Sequence, residues 1–486
     1  MSQHKKILFV SSEVSPFAKT GGLADVLGAL PEAIAKEGHD VRVVMPLYRC
    51  IREQYGEQLQ FMRWSMIRMG WRSLYSGLFR MEYQGITHYF IDNEYYFGFD
   101  EIYKEYNFDI ERFCFFQRAV LEVLGAPMDF MPDILHLNDW QTGLIPCLIE
   151  AHYRPFGYLQ QVKTVFTIHN LRYQGIHGAD RIADLCDLPQ NYLTEYGILK
   201  DGNANMMKAG IVYADRITTV SPSYAEEIMT PYYGEGLDGV LRSFSYKLRG
   251  ILNGIDMTVF DPKTDPQLPQ AYSVDHWQED KRRCKEALQA QLGLPVRGDV
   301  PFFSMITRLV DQKGLDLFLC IADEFLNEDI QCVILGTGNY SYEDALRQLE
   351  QRHPDRFRAC IYFDPKLSNR LYAASDFFLM PSLFEPCGLS QMISMRYGTL
   401  PIVRETGGLQ DTVVPYNQYT GEGNGFSFQN INAHELLFTA KRAMEMYRDP
   451  NQREAYERLV TTAMREDWSW TRSAQTYLQL YDELGA

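Results

Sequence analysis

Ile7-Leu8-Phe9-Val10, broken by Ser11-Ser12-Glu13 and followed by Lys19-Thr20-Gly21-Gly22-Leu23-Ala24-Asp25-Val26, decides how this chain folds. The short apolar run reads as a buried strand, and the residues from Leu23 to about Gly38 carry an amphipathic helical pattern. A glycine pair between strand and helix lets the backbone approach a ligand that any Cβ would block, and the helix aims its first N–H groups at the same spot. With Lys19 beside it, the turn predicts a phosphate-bearing ligand. A second basic pair, Arg308 and Lys313 in Thr307-Arg308-Leu309-Val310-Asp311-Gln312-Lys313-Gly314, predicts that the ligand is gripped from two sides.

Runs of the same kind alternate with helical patterns along most of the sequence. They fall at residues 41–45, 133–137, 162–168 and 216–220 in the first half, and at 302–306, 330–335, 359–363, 377–380 and 400–403 in the second. Continuous apolar character, rather than alternation, is what a strand covered on both faces needs, so the expectation is α/β: parallel sheets flanked by helices, in two doubly wound halves. With 486 residues, 46% of them hydrophobic, the chain is too long for one ordinary core. The seam is expected within residues 250–261, where Asn253-Gly254-Ile255-Asp256 is a turn signal followed by a polar, proline-punctuated stretch. Residues 468–486 carry apolar positions at helical spacing (Trp470, Ala474, Tyr477, Leu478, Tyr481 and Leu484) and are expected to pack back on the first domain.

A net charge of −16 argues against nucleic acid or an anionic membrane as partner, so a phosphate site has to be a local basic island. Nine cysteines without Cys-x-x-Cys spacing fit a reducing compartment and no structural zinc. The amino-terminal apolar run is too short for a signal peptide and no run reaches membrane-spanning length, which predicts a cytoplasmic protein.

Ligands of open α/β sheets collect beyond the carboxyl ends of the strands, so polar residues there are the candidates. One strand runs into Asn138-Asp139-Trp140, offering Asp139 as a carboxylate for hydroxyl groups or as an ordinary solvated loop residue. Another ends in His169-Asn170, and a lone histidine has a structural alternative of its own. The strongest end is Met380-Pro381-Ser382-Leu383-Phe384-Glu385-Pro386-Cys387-Gly388-Leu389-Ser390-Gln391. There Glu385 precedes a helix start whose free N–H groups suit an anion, with helix capping as the plainer reading. A further pair, Gly407-Gly408 after Thr406, fits a phosphate, a ribose or only a tight turn. No Asp-x-Asp pair, Gly-x-x-x-x-Gly-Lys-Ser/Thr loop, His-Glu-x-x-His or Gly-x-Ser-x-Gly occurs. An anionic leaving group is therefore expected to be met by protein cations, without a metal or other cofactor.

Taken together, residues 19–26, 136–140, 167–175, 253–256, 308–314 and 385–391 resemble the bacterial glycogen synthase and plant starch synthase group, glycosyltransferase family 5, over nearly the whole chain. The resemblance implies a GT-B fold: two Rossmann-like domains, here 1–250 (acceptor side) and 251–467 (donor side), an interdomain cleft, and a carboxy-terminal helix, 468–486, crossing back to the first. It implies retaining transfer of glucose from a sugar nucleotide, usually ADP-glucose, to the non-reducing end of an α-1,4-glucan such as glycogen. Position by position, it implies that Lys19, Gly21 and Gly22 lie near the donor phosphates and glucose. Arg308 and Lys313 bind the diphosphate and Glu385 is the active-site glutamate. Cys387, Gly388, Leu389 and Ser390 face phosphate and sugar, while Asp139, His169 and Asn253 line the glucose pocket. The residue eight after Glu385 is Ile393, so the second glutamate of many related retaining enzymes is absent. Residues 92–113 depart from the family pattern on the acceptor side.

Overall fold

A computed structural model describes residues 4–485; the first three residues of the expected amino-terminal domain and the last of the expected tail lie outside the described residues. The chain forms two units, one running to Gly254 and including the stretch from Trp470, the other Ile255–Ser469.

The first unit is built on strands β1 (Lys6–Val10), β2 (Asp40–Pro46), β3 (Gln60–Met69), β4 (Arg72–Tyr83), β5 (Ile86–Asp92), β6 (Ile134–Asn138), β7 (Lys163–Ile168), β8 (Ile176–Gly178), β9 (Leu199–Lys200), β10 (Asn203–Asn205), β11 (Arg216–Thr219) and β12 (Leu248–Gly250). Nine of them make one sheet in the order β12-β11-β7-β6-β1-β2-β5-β4-β3, and β8, β10 and β9 pair in a small antiparallel sheet. From β12 to β5 every pairing is parallel. Ile7 to Val10 and all of β6 are buried, as covered strands require. The strand order reverses between β1 and β6, which makes that crevice the expected ligand position in a doubly wound sheet.

The parallel sheet expected from the sequence is extended at one edge by a pair it did not reveal, β3 and β4, which run antiparallel to each other, β4 also antiparallel to β5. The physical reason is visible in β3, whose Phe61, Trp64 and Met66 are exposed while Ile67 and Met69 are fully buried. A half-covered strand alternates, and a search for continuous apolar runs passes over it.

Helix Gly22–Lys36 follows β1 and buries Leu23, Val26, Leu27, Leu30 and Ile34 at helical spacing. The closing helix Trp470–Glu483 also packs in this unit and buries Tyr477, Leu480 and Tyr481. Burial stabilises by about 1.5–3 kcal/mol for each such side chain, enough to hold a helix of this length in place. The Tyr481 hydroxyl lies 2.6 Å from His136 Nδ1 on β6, and Ser473 donates to the Leu252 carbonyl.

The second unit holds β13 (Phe302–Ile306), β14 (Gln331–Leu335), β15 (Phe357–Cys360), β16 (Phe377–Met380), β17 (Leu400–Arg404) and β18 (Phe426–Phe428), all parallel, in the order β15-β14-β13-β16-β17-β18. Here the order reverses between β13 and β16. Leu288, Phe302, Val333, Leu335, Leu367 and Leu371 form a core between sheet and helices. The strand read at 359–363 begins two residues earlier and ends three earlier, because Phe357 is fully buried whereas Phe363 is 84% exposed and Asp364 already caps the next helix. Under the sheet, Lys285 Nζ lies 2.6 Å from Asp376 Oδ2, and the same oxygen accepts from Phe302 N at 2.8 Å.

Candidate functional site

Every candidate in the first unit follows the carboxyl end of a parallel strand: Lys19, Gly21 and Gly22 after β1, Asp139 after β6, His169 after β7 and Asn253 after β12. The first two sets flank the reversal of strand order.

A Cβ built on Gly21 or Gly22 meets nothing within 4 Å, and Gly21 has an extended backbone, so no packing inside the protein requires glycine at either position. The open space lies outside the chain, as a close-approaching ligand would need. Lys19, half exposed, sits 2.6 Å from Asp25 Oδ1. A pair this exposed is worth about 0–1 kcal/mol, so a ligand anion can claim the ammonium at little cost.

The turn is already engaged by a residue that the sequence reading did not single out. Glu13, only 3% exposed, accepts from Thr20 N (2.5 Å) and Gly21 N (3.3 Å) through Oε2, and from Thr20 Oγ1 (2.7 Å) and Tyr103 OH (2.6 Å) through Oε1. Two N–H groups of the turn, one of them on the Gly21-Gly22 pair read as a phosphate site, are therefore taken by a carboxylate. Glu13 stands three residues past β1, so the same strand-end rule that flagged Asp139 applies to it. Tyr103 comes from the 92–113 stretch, and also bonds Ser12 Oγ (3.0 Å) and Gln141 Nε2 (3.2 Å).

Asp139 and His169 are brought together by the pairing of β6 with β7. Asp139 Oδ1 accepts from His169 N at 2.8 Å. Its backbone, at φ 57° and ψ −178°, lies in a region that costs about 1–3 kcal/mol for a residue with a side chain, the kind of strain that clusters at functional sites. Burial raises its carboxyl to about 7, opposed by the His169 and Asn170 N–H groups and helped by the nearby charge of Glu13. Burial lowers the His169 imidazole to about 3, so the ring is neutral. Asn138 Nδ2 donates to Val10 O and His136 O, which turns its Oδ1 toward His169 Nε2 at 2.9 Å and assigns the proton to that nitrogen. Such a ring suits a hydrogen-bonding role and is a poor base near neutrality. Asn253, 6% exposed, leaves Oδ1 buried without a partner among the described residues, an acceptor open to a hydroxyl donor.

The second unit gathers its candidates on two loops, one after β13 and one after β16, on either side of its strand reversal. Lys313 Nζ lies 2.6 Å from Glu385 Oε2, and Ser382 Oγ donates to the same oxygen at 3.0 Å. Contacts of Gly314 and Gln312 bring these loops into register, and Arg404 on β17 steadies the second of them. Gly314, at φ +69°, packs so closely that a Cβ would stand 2.0 Å from the Pro381 carbonyl. Gln312 accepts from Leu383 N (2.8 Å) and donates through its side chain to Phe384 O (3.1 Å). The Arg404 guanidinium, buried, donates to the carbonyls of Ser382 and Leu383. Arg308 is exposed and its side chain enters no ion pair among the described residues.

Cys387, Gly388 and Leu389 lead into helix Ser390–Arg396, and Gln391 Nε2 holds the turn by donating to the carbonyls of Cys387 and Gly388. The Gly407-Gly408 pair proves to be a close-packing device: added Cβ atoms would stand 2.1 Å from Glu385 O and 2.0 Å from Cys387 O, and Gly408 N donates to Glu385 O. Sequence reasoning singled out Lys313 and Glu385 as candidates but not Gln312, Ser382 or Arg404, whose loop contacts leave no periodic signal.

Comparison with known proteins follows the same division. The family profile described as starch synthase catalytic domain matches residues 6–243, and that of glycosyl transferases group 1 matches residues 289–462. The glycogen synthase of Exiguobacterium sibiricum is 50% identical over 477 residues, 98% of each chain, and that of Lachnospira eligens is 47% identical over 480 residues, 99% of this chain and 100% of that one. The solved catalytic domain of starch synthase IV from Arabidopsis thaliana, bound to ADP and acarbose, superimposes with a TM-score of 0.91 at 34% identity, covering 99% of both chains.

Proposed function

The chain belongs to the starch synthase catalytic-domain family and has its GT-B glycosyltransferase fold, and from that premise we propose that it extends α-1,4-glucans such as glycogen with glucose from ADP-glucose, releasing ADP and retaining configuration. The observation that carries this reading is likeness near 50% over the full length of glycogen synthases, which spans both sets of site residues. The ADP and acarbose bound to the starch synthase IV structure support a nucleotide donor and a glucan acceptor.

In the proposed reaction, the bond from glucose C1 to the diphosphate stretches, C1 becomes oxocarbenium-like and negative charge grows on the phosphate oxygens. Arg308 and Lys313 stabilise that charge better than the ground state, without a metal cofactor. Lys313 reaches it already oriented by Glu385, whose carboxylate Ser382 holds in turn, so little reorganisation is left to the reacting state. Lys19 with Gly21 and Gly22 contacts donor phosphate and glucose, and Asp139, His169 and Asn253 bind sugar hydroxyls. Cys387 to Ser390 border the same donor. Glu385, committed to Lys313, orients a glucose hydroxyl and balances charge. The acceptor hydroxyl attacks on the face the diphosphate leaves, giving its proton to a phosphate oxygen. The reading requires no nucleic acid or membrane partner; among the described residues no helix is long and apolar enough to cross a membrane.

The test is nucleotide diphosphate release and chain extension with glycogen, run with ADP-glucose and UDP-glucose in parallel. ADP release matched by added glucose units is the expected result. Faster UDP release would transfer the reading to a UDP-glucose enzyme, and glucan binding with no release would make the protein a binding module. A glucosyl adduct trapped on any side chain would overturn same-face attack.

A further inference from the structure

Resting on the proposed donor role of the glycine turn, we propose that Glu13 is its positioning residue, a buried acceptor that fixes Thr20 and Gly21 so that the open surface of Gly21 and Gly22 is preformed for the sugar nucleotide. Four observations converge on it. The carboxylate is buried, and no salt bridge to it occurs among the described residues, so its charge is met by hydrogen bonds. Two of those bonds come from backbone N–H groups just before the first helical turn of Gly22–Lys36, donors that lie outside the helix's own hydrogen-bond ladder. Its other oxygen ties the turn to Tyr103, and through that hydroxyl to Gln141, two residues past Asp139. Lastly, Gly21 and Gly22 have nothing within 4 Å of a built Cβ, so the outer surface of the turn is open to a ligand while Glu13 holds Thr20 and Gly21 from the buried side.

This alters the electrostatic reading of the turn. An anion arriving there meets one carboxylate already bonded to Thr20 and Gly21, so these two N–H groups serve geometry, and Lys19 supplies the attraction for phosphate.

The experiment compares Glu13→Leu, of similar volume but unable to accept a hydrogen bond, with Glu13→Gln, whose carbonyl can still accept from both N–H groups while its amide donates to the two hydroxyls. Backbone amide exchange across residues 16–24 and donor kinetics are read on both. For the wild type, the Thr20 and Gly21 amides are expected to be protected although Thr20 is exposed, a result that needs no variant to fold. Glu13→Leu is expected to lose that protection, with exchange elsewhere unchanged, and to lower kcat/KM for the donor by about a hundredfold, the scale for a misplacement of about 1 Å. Glu13→Gln is expected to restore protection and most of the donor kcat/KM. Unprotected wild-type amides, or a Glu13→Gln variant as impaired as Glu13→Leu, would overturn the proposal. If the wild type proves to transfer no glucose, the functional reading fails while the exchange data still decide the positioning role.

Discussion

The Lys313 ammonium and the Glu385 carboxylate, 72 positions apart in sequence, lie 2.6 Å apart with both side chains mostly buried. A pair held this way, with Ser382 on the same oxygen, is a unit, and its members are expected to fail together. Lys313→Ala and Glu385→Ala should each lower kcat by a hundredfold or more, about 3 kcal/mol for a lost stabilising donor. The double variant should be little worse than either, a coupling that initial rates of nucleotide diphosphate release will measure. Additive losses would show that the two act separately.

Arg308 stands apart from such pairing, exposed and without an ion pair among the described residues. Arg308→Ala should therefore leave the thermal midpoint unchanged while lowering kcat by roughly a hundredfold. A shifted midpoint with normal turnover would give Arg308 a structural role in place of the catalytic one.

Gly314→Ala is a test of how the loops are registered. At φ +69°, with a Cβ only 2.0 Å from the Pro381 carbonyl, the substitution should destabilise by more than about 1 kcal/mol and separate Lys313 from Glu385. Urea unfolding and donor kcat/KM together check this, both being expected to fall.

The Lys285–Asp376 pair gives a stability prediction remote from the candidate site. Lys285→Met leaves Asp376 buried with its charge uncompensated, at a cost of roughly 3–5 kcal/mol. Changing both residues to apolar ones of similar size should recover much of the loss in chemical denaturation.

Asp139 makes stability depend on pH. Between the unfolded value of 3.8 and the folded value of about 7 the folded chain keeps a proton that the unfolded chain has lost, so its contribution declines as pH rises through that window. His169 and His136, both lowered to about 3 by burial, act in the opposite sense below 6.5. The difference between wild type and Asp139→Asn isolates the carboxyl: denaturation midpoints at pH 5 and pH 8 should show the wild type losing ground relative to the variant at the higher pH.

The sequence by itself determined what local sterics and burial encode: the strand, turn and helix around Gly21-Gly22, the covered strands with their continuous apolar runs, and the strand ends carrying Asp139, His169, Arg308 and Glu385. It was silent on β3 and β4, whose half-covered faces alternate. Only the tertiary structure decided that Lys313 bonds Glu385, that Glu13 holds the glycine turn, and that Gly407-Gly408 packs against the Glu385 loop. The reason is physical: a run of side chains reports its own burial, but which loop meets which depends on strand order and on close backbone contacts such as Gly314 against Pro381, and these join residues far apart in the chain.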